Sequence, residues 1–176
     1  MFAADAVGKV FDGQVTGVER DALRLAEAMP ADKYNFAPTT GSFTGVRTFA
    51  IQTRHIATML YILASAISGE KPPVDIGVNG GPDLNGPDSV RTKEQIVAYL
   101  KGSIEFAHKA ALTVTAQNEL EPVKTMFGPT MPRMAAASMM GSHSMDHYGQ
   151  MVVYARMNGV APPASQPQPA SGSGSR

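Results

Sequence analysis

Residues 71–88 of this 176-residue chain decide most of what it can become. They hold Pro72, Pro73, Gly77, Gly80, Gly81, Gly86 and Pro87 among several aspartates, and no helix can run through them. On each side lies a long run whose apolar residues recur at helical spacing. The segment is too long for a tight antiparallel turn. It can instead travel the length of a bundle as a crossover, which leaves the helices on either side parallel.

Four such helical runs can be read. The first covers about residues 5–29, with Val7, Val10, Phe11, Val15, Val18, Ala22, Leu25 and Met29 in one stripe and Pro30 ending it. The second, 44–68, carries Val46, Phe49, Ile51, Ile56, Met59, Leu60, Ile62 and Leu63, with Thr44 as its expected N-cap and Gly69 as its stop. The third is expected to be capped by Ser89 and presents Ile96, Leu100, Ile104, Ala107, Ala111 and Val114. The fourth begins near Pro132 and closes at Asn158 and Gly159. Gly149, inside it, is expected to let a neighbouring helix approach, since a mid-helix glycine costs about 1 kcal/mol and usually has a packing reason. No strand pattern of any strength is present. After Ala161 the chain turns to Pro, Ser, Gln and Gly, so 162–176 reads as a disordered tail. The expectation is one all-α domain, a four-helix bundle over residues 5–161.

Composition removes several functions. Charged residues are 17% and the formal net charge is zero, so nothing steers the chain towards nucleic acid or an anionic membrane. No apolar stretch is long enough to span a bilayer, and the N-terminus has no basic region followed by an apolar one. A cytoplasmic location is therefore expected. The chain has no cysteine, which excludes disulfides, thiolate-bound zinc, iron–sulfur clusters and a cysteine nucleophile. A thiol in its chemistry would have to come from a cosubstrate. Gly77, Gly80 and Gly81 match no phosphate-binding spacing, and no Gly-x-Ser-x-Gly elbow occurs.

What remains is histidine. His143 and His147 stand four residues apart in Ser142-His143-Ser144-Met145-Asp146-His147-Tyr148-Gly149-Gln150, so both imidazoles share one helix face. His55 lies in the second helical run, on the side of Ile51, Met59 and Ile62. Three imidazoles from two facing helices can share one divalent cation and leave its fourth position open, as catalytic rather than structural metal sites do. Spacing alone leaves this level with a plainer reading, in which the histidines are ordinary semi-buried residues. Gln52, Asp146 and Gln150 are placed to orient the imidazoles from behind, although Asp146 can equally face solvent and Gln150 can equally bridge two helices. His108 lies beside the third stripe and reads as a surface residue. Glu105 and His108 form a single Glu-x-x-His, whereas a di-iron bundle needs that motif on two helices.

The order of these motifs resembles the DinB/YfiT-like superfamily. Residues 29–38, from Met29-Pro30 to Ala37-Pro38, are similar to its connector after the first helix. Phe43-Thr44-Gly45-Val46 leading to His55-Ile56-Ala57 resembles its second helix, and His143-x-x-x-His147-x-x-Gln150 resembles its fourth. The resemblance covers about residues 5–161. It implies an up-down-down-up bundle with a long crossover between helices two and three. It also implies one divalent metal, zinc or nickel, on His55, His143 and His147. The function it implies is a thiol-dependent transferase that uses a low-molecular-weight thiol on a small-molecule substrate. The alternatives are a metal-dependent hydrolase working through bound hydroxide, and a non-enzymatic, stress-related binding bundle. A homodimer is in keeping with the resemblance.

Overall fold

Four long helices form among the described residues of the computed structural model, which are 5–77, 83–126 and 128–166. The first, α1, starts at Ala6, where the Asp5 side chain accepts from the Val7 N–H, and runs as Ala6–Val18. It continues through a π turn, Glu19–Leu23, into Arg24–Ala28. The wider π turn buries three residues in succession, Asp21, Ala22 and Leu23. Phe11, Val15 and Val18 point inward as expected, but Val10 is exposed, because one residue before Phe11 lies about 100° round the helix.

The second helix, α2, is Phe49–Ser68 and is buried on nearly every side. Its cap is Thr48, whose hydroxyl accepts from the Ile51 N–H, and not Thr44 as expected. The preceding strand of chain sets this start. The Phe36 and Tyr34 carbonyls accept from the Phe49 and Ala50 N–H groups at 2.9 and 2.8 Å, which satisfies donors that a helix start leaves open. Gly69 ends the helix in the left-handed conformation, as the sequence led one to expect.

The third helix, α3, is Lys93–Ala111, and its cap is Thr92 rather than Ser89. Thr92 and Gln95 form a reciprocal capping box. Residues 87–90 instead make a turn, whose Pro87 and Val90 carbonyls both accept from Arg54. Val114 lies past the helix end but is fully buried.

Two short antiparallel strands, β1 (Pro122–Val123) and β2 (Met131–Pro132), pinch the last connector. Two residues are too few to show a strand's period in sequence. The pairing carries on into the start of α4, Arg133–Met157, where the Glu121 and Glu119 carbonyls accept from the Arg133 and Met134 N–H groups. The Arg133 guanidinium also donates to the Ile67 carbonyl, closing the C-terminal turn of α2. Past α4 the expected tail opens with a 3-10 turn, Pro163–Ser165, tied back by a hydrogen bond from Arg156 to the Ser165 hydroxyl. The rest of that tail, 167–176, lies outside the described residues.

Cross-helix pairs give the directions. Thr58 meets Tyr99, and Tyr61 packs on Tyr99 and Phe106, so α2 and α3 run parallel. Gln52 bonds Gln150 while Ile67 bonds Arg133, so α2 and α4 are antiparallel. Asp12 meets His108 and the Glu27 carbonyl accepts from Lys93, so α1 and α3 are antiparallel. The result is the up-down-down-up order, with the crossover joining the two parallel helices. The glycine that permits close packing on α4 is Gly141, against Gln14. Gly149, expected to do so, has nothing within 4 Å of where a Cβ would stand.

Candidate metal centre

The parallel crossover and the antiparallel α2/α4 pair together bring one turn of α2 opposite two turns of α4. There His55, His143 and His147 meet, with one ring nitrogen from each lying within 4.8 Å of the others. His55 Nε2 and His143 Nε2 are 3.1 Å apart. His55 and His147 are buried, whereas His143 is half-buried and forms the solvent side of the cluster.

The hydrogen bonds behind the rings settle which nitrogens carry protons. His55 Nδ1 lies 2.9 Å from the Leu84 carbonyl, which can only accept, so the proton is on Nδ1 and the lone pair on Nε2. His147 is fixed by a longer chain of hydrogen bonds. Asp146 Oδ2 accepts from Gln150 Nε2 at 3.3 Å, since a carboxylate has no proton to give. Gln150 therefore presents Oε1 to Gln52 Nε2, 2.7 Å away, and Gln52 presents its own Oε1 to His147 Nδ1, also at 2.7 Å. His147 is thus protonated on Nδ1 and has its lone pair on Nε2. Two lone pairs are held inward by partners on three different parts of the chain.

All three imidazoles are harder to protonate than an exposed histidine. Burial pushes His55 and His147 down to about 4 and lowers His143, and the positive charge of Arg47 adds to the effect in each case. Asp146 opposes it at His143 and His147. The cluster is therefore neutral at ordinary pH, the state in which imidazole binds a metal. Nitrogens that share one tetrahedral ion at about 2.0–2.1 Å sit about 3.3 Å apart, and the 3.1 Å between His55 and His143 is close to this. In donor type, protonation and spacing, these residues fit a divalent cation.

The polar residues expected around the site are all present, with refined roles. Gln52 and Gln150 form the relay to His147, which makes the Gln150 contact an interhelical one. Asp146 touches no imidazole directly; it is exposed and anchors the outer end of the relay. His108 stands apart from the cluster and joins α3 to α1, with Nδ1 2.6 Å from Asp12 and Nε2 3.6 Å from Glu19. The Leu84 carbonyl and Arg47 were not foreseen. A backbone carbonyl has no side-chain signal to read, and Arg47 is placed by crossover residues Asp83 and Asn85, 36 and 38 positions further along the chain.

Fold and site together define a four-helix bundle with a histidine triad between α2 and α4, two of its rings buried and one half-buried. The family model of the DinB superfamily matches residues 14–151, and the chain belongs to that superfamily. No curated protein matches it.

Proposed function

We propose that the protein is a metal-dependent enzyme, with His55, His143 and His147 holding one divalent ion, zinc or nickel. The favoured reaction is transfer of a low-molecular-weight thiol to a small-molecule substrate. The observation that carries the metal reading is the paired tautomer lock, in which the Leu84 carbonyl and the Gln52 amide each take an Nδ1 proton and leave an Nε2 lone pair facing the cluster. Membership of the DinB superfamily supports the same ligand set. A bound divalent ion would lower the pKa of a thiol or a water molecule and stabilise developing negative charge.

The chain's own contribution is orientation and exclusion of water. Gln52 and Leu84 fix two rings, and Asp146 anchors Gln150, which in turn fixes Gln52. The less buried His143 marks the side by which a ligand enters. The absence of cysteine makes an external thiol the consistent nucleophile, and a thiol cosubstrate suits a reducing, cytoplasmic setting.

The test is metal content by mass spectrometry of untagged protein, beside a His143→Ala, His147→Ala double variant. One ion per chain in the wild type and none in the variant is the expected result. No metal after incubation with zinc and nickel would overturn the reading. If metal is present, loss of a thiol to an electrophile such as an α,β-unsaturated carbonyl marks the transferase. Ester cleavage without thiol marks the hydrolase instead.

A further inference from the structure

Three consecutive residues of the crossover serve two purposes at once. The Leu84 carbonyl holds His55, while on either side of it the Asp83 carbonyl accepts from Arg47 Nη2 at 2.9 Å and Asn85 Oδ1 accepts from Arg47 Nε at 2.8 Å. Leu84 has φ +48°, and it is the one non-glycine with positive φ among the described residues. A leucine in this conformation is strained and persists only where its surroundings hold it, most often at ligand sites. Arg47 and His55 are thus tied to the same short strap.

Arg47 differs from Arg20 and Arg133, and like Arg54, Arg91 and Arg156 it is held without a carboxylate; what sets it apart is its tie to the strap that holds His55. Arg20 and Arg133 each pair with a carboxylate, Asp21 and Glu121. Arg47 is held by two neutral acceptors, and among the described residues no carboxylate forms an ion pair with it. Its charge reaches all three imidazoles of the cluster. A fixed guanidinium beside a cation site weakens cation binding unless an anion lies between them. Nε and one Nη2 hydrogen are engaged, and the Nη1/Nη2 edge of the planar fork is the geometry that takes a carboxylate in two parallel bonds.

We propose that Arg47 is the recognition residue for a carboxylate on the ligand that enters the three-histidine site, and that Asp83, Leu84 and Asn85 position it there. This rests on the metal-site reading above. The small molecule, cosubstrate or substrate, is therefore an acid, and residues 83–85 couple its recognition to the orientation of His55.

The test uses full-length, untagged, zinc-loaded protein titrated by calorimetry with 3-mercaptopropionate and with its neutral counterpart, 3-mercaptopropan-1-ol. Wild-type protein should bind the acid at least about tenfold more tightly, the scale of one charge-assisted contact. Arg47→Gln should bring the two thiols to within about twofold of each other, whereas Arg47→Lys should retain part of the preference. Zinc content, measured separately in each variant, should stay at one per chain. Normal zinc with no preference in the wild type, with no binding of either thiol, or with an unchanged preference in Arg47→Gln overturns the role of Arg47 and leaves the metal centre standing. Absence of zinc from the wild type overturns the metal centre, and this inference with it.

Discussion

Gln52 is 2% exposed, and both ends of its amide are engaged, the oxygen by His147 and the nitrogen by Gln150. Gln52→Leu keeps most of the volume but leaves the His147 Nδ1–H without an acceptor, so the ring loses both its orientation and its preferred tautomer. Zinc affinity should fall about 10–100-fold, the usual cost of removing such a supporting contact, and Gln150→Leu, one bond further out, should cost less. Competition with a chromophoric chelator measures both, and equal affinity in Gln52→Leu and wild type would show that the relay does not set the tautomer. Much of this was readable in the sequence, because a glutamine on an apolar helix face and a His-x-x-x-His pair each call for partners. What could not be read was the direction of the relay. That depends on Asp146 reaching Gln150 instead of an imidazole, a matter of side-chain geometry at the helix surface.

Among elements, the helix ends tell the same story from the other side. The stops at Gly69 and Gly159 were legible because a left-handed closing residue favours one amino acid. The starts were less so. Thr44 and Thr48 are both plausible caps, and the choice was made by the Tyr34 and Phe36 carbonyls, which belong to a connector with no periodicity. Thr92 is different, since Thr92-x-x-Gln95 is a capping-box pattern legible in the sequence, whereas Ser89 lies in the turn closed by Pro87 and Val90. Glycines inside helices divide in the same way. A Cβ at Gly8 would lie 2.8 Å from the Val114 carbonyl oxygen and 3.0 Å from that of Ala111, both rigid backbone atoms. Gly8→Ala should therefore destabilise the protein by roughly 1–3 kcal/mol. Gly149→Ala meets open space and should stabilise it by about 0.5–1 kcal/mol. Urea unfolding of the two variants checks the pair, and the opposite signs are what matter.

For the whole molecule, the crossover was the legible part: its proline and glycine content and its length implied parallel helices on either side, and the contacts of α2 with α3 bear this out. Burial of the cluster also gives the molecule a pH dependence. His55 and His147 are lowered to about 4 from an ordinary 6.5. Between those values the unfolded chain binds protons that the folded chain does not, so the stability tied to the neutral rings is complete above about pH 6.5 and drains away as the pH falls through 4. Metal-free wild type should therefore lose stability between pH 7 and 4.5 by more than a His55→Gln, His147→Gln variant does. Urea midpoints at the two pH values measure it, and identical losses would show that the rings are not held neutral.

The parallel arrangement has a consequence for kinetics. Gln52 and His147 are 95 residues apart in the chain, and His55 and His143 are 88 apart. In a bundle of simple hairpins, neighbours along the chain can pair early. Here α2 must wait for the crossover, the whole of α3 and the last connector before α4 arrives, and closing a loop of that length is among the late and slow events of folding. An ion gripped by all three histidines has no complete site to bind until that moment. It would hold the finished molecule shut, slowing its opening, while doing nothing to hasten its assembly.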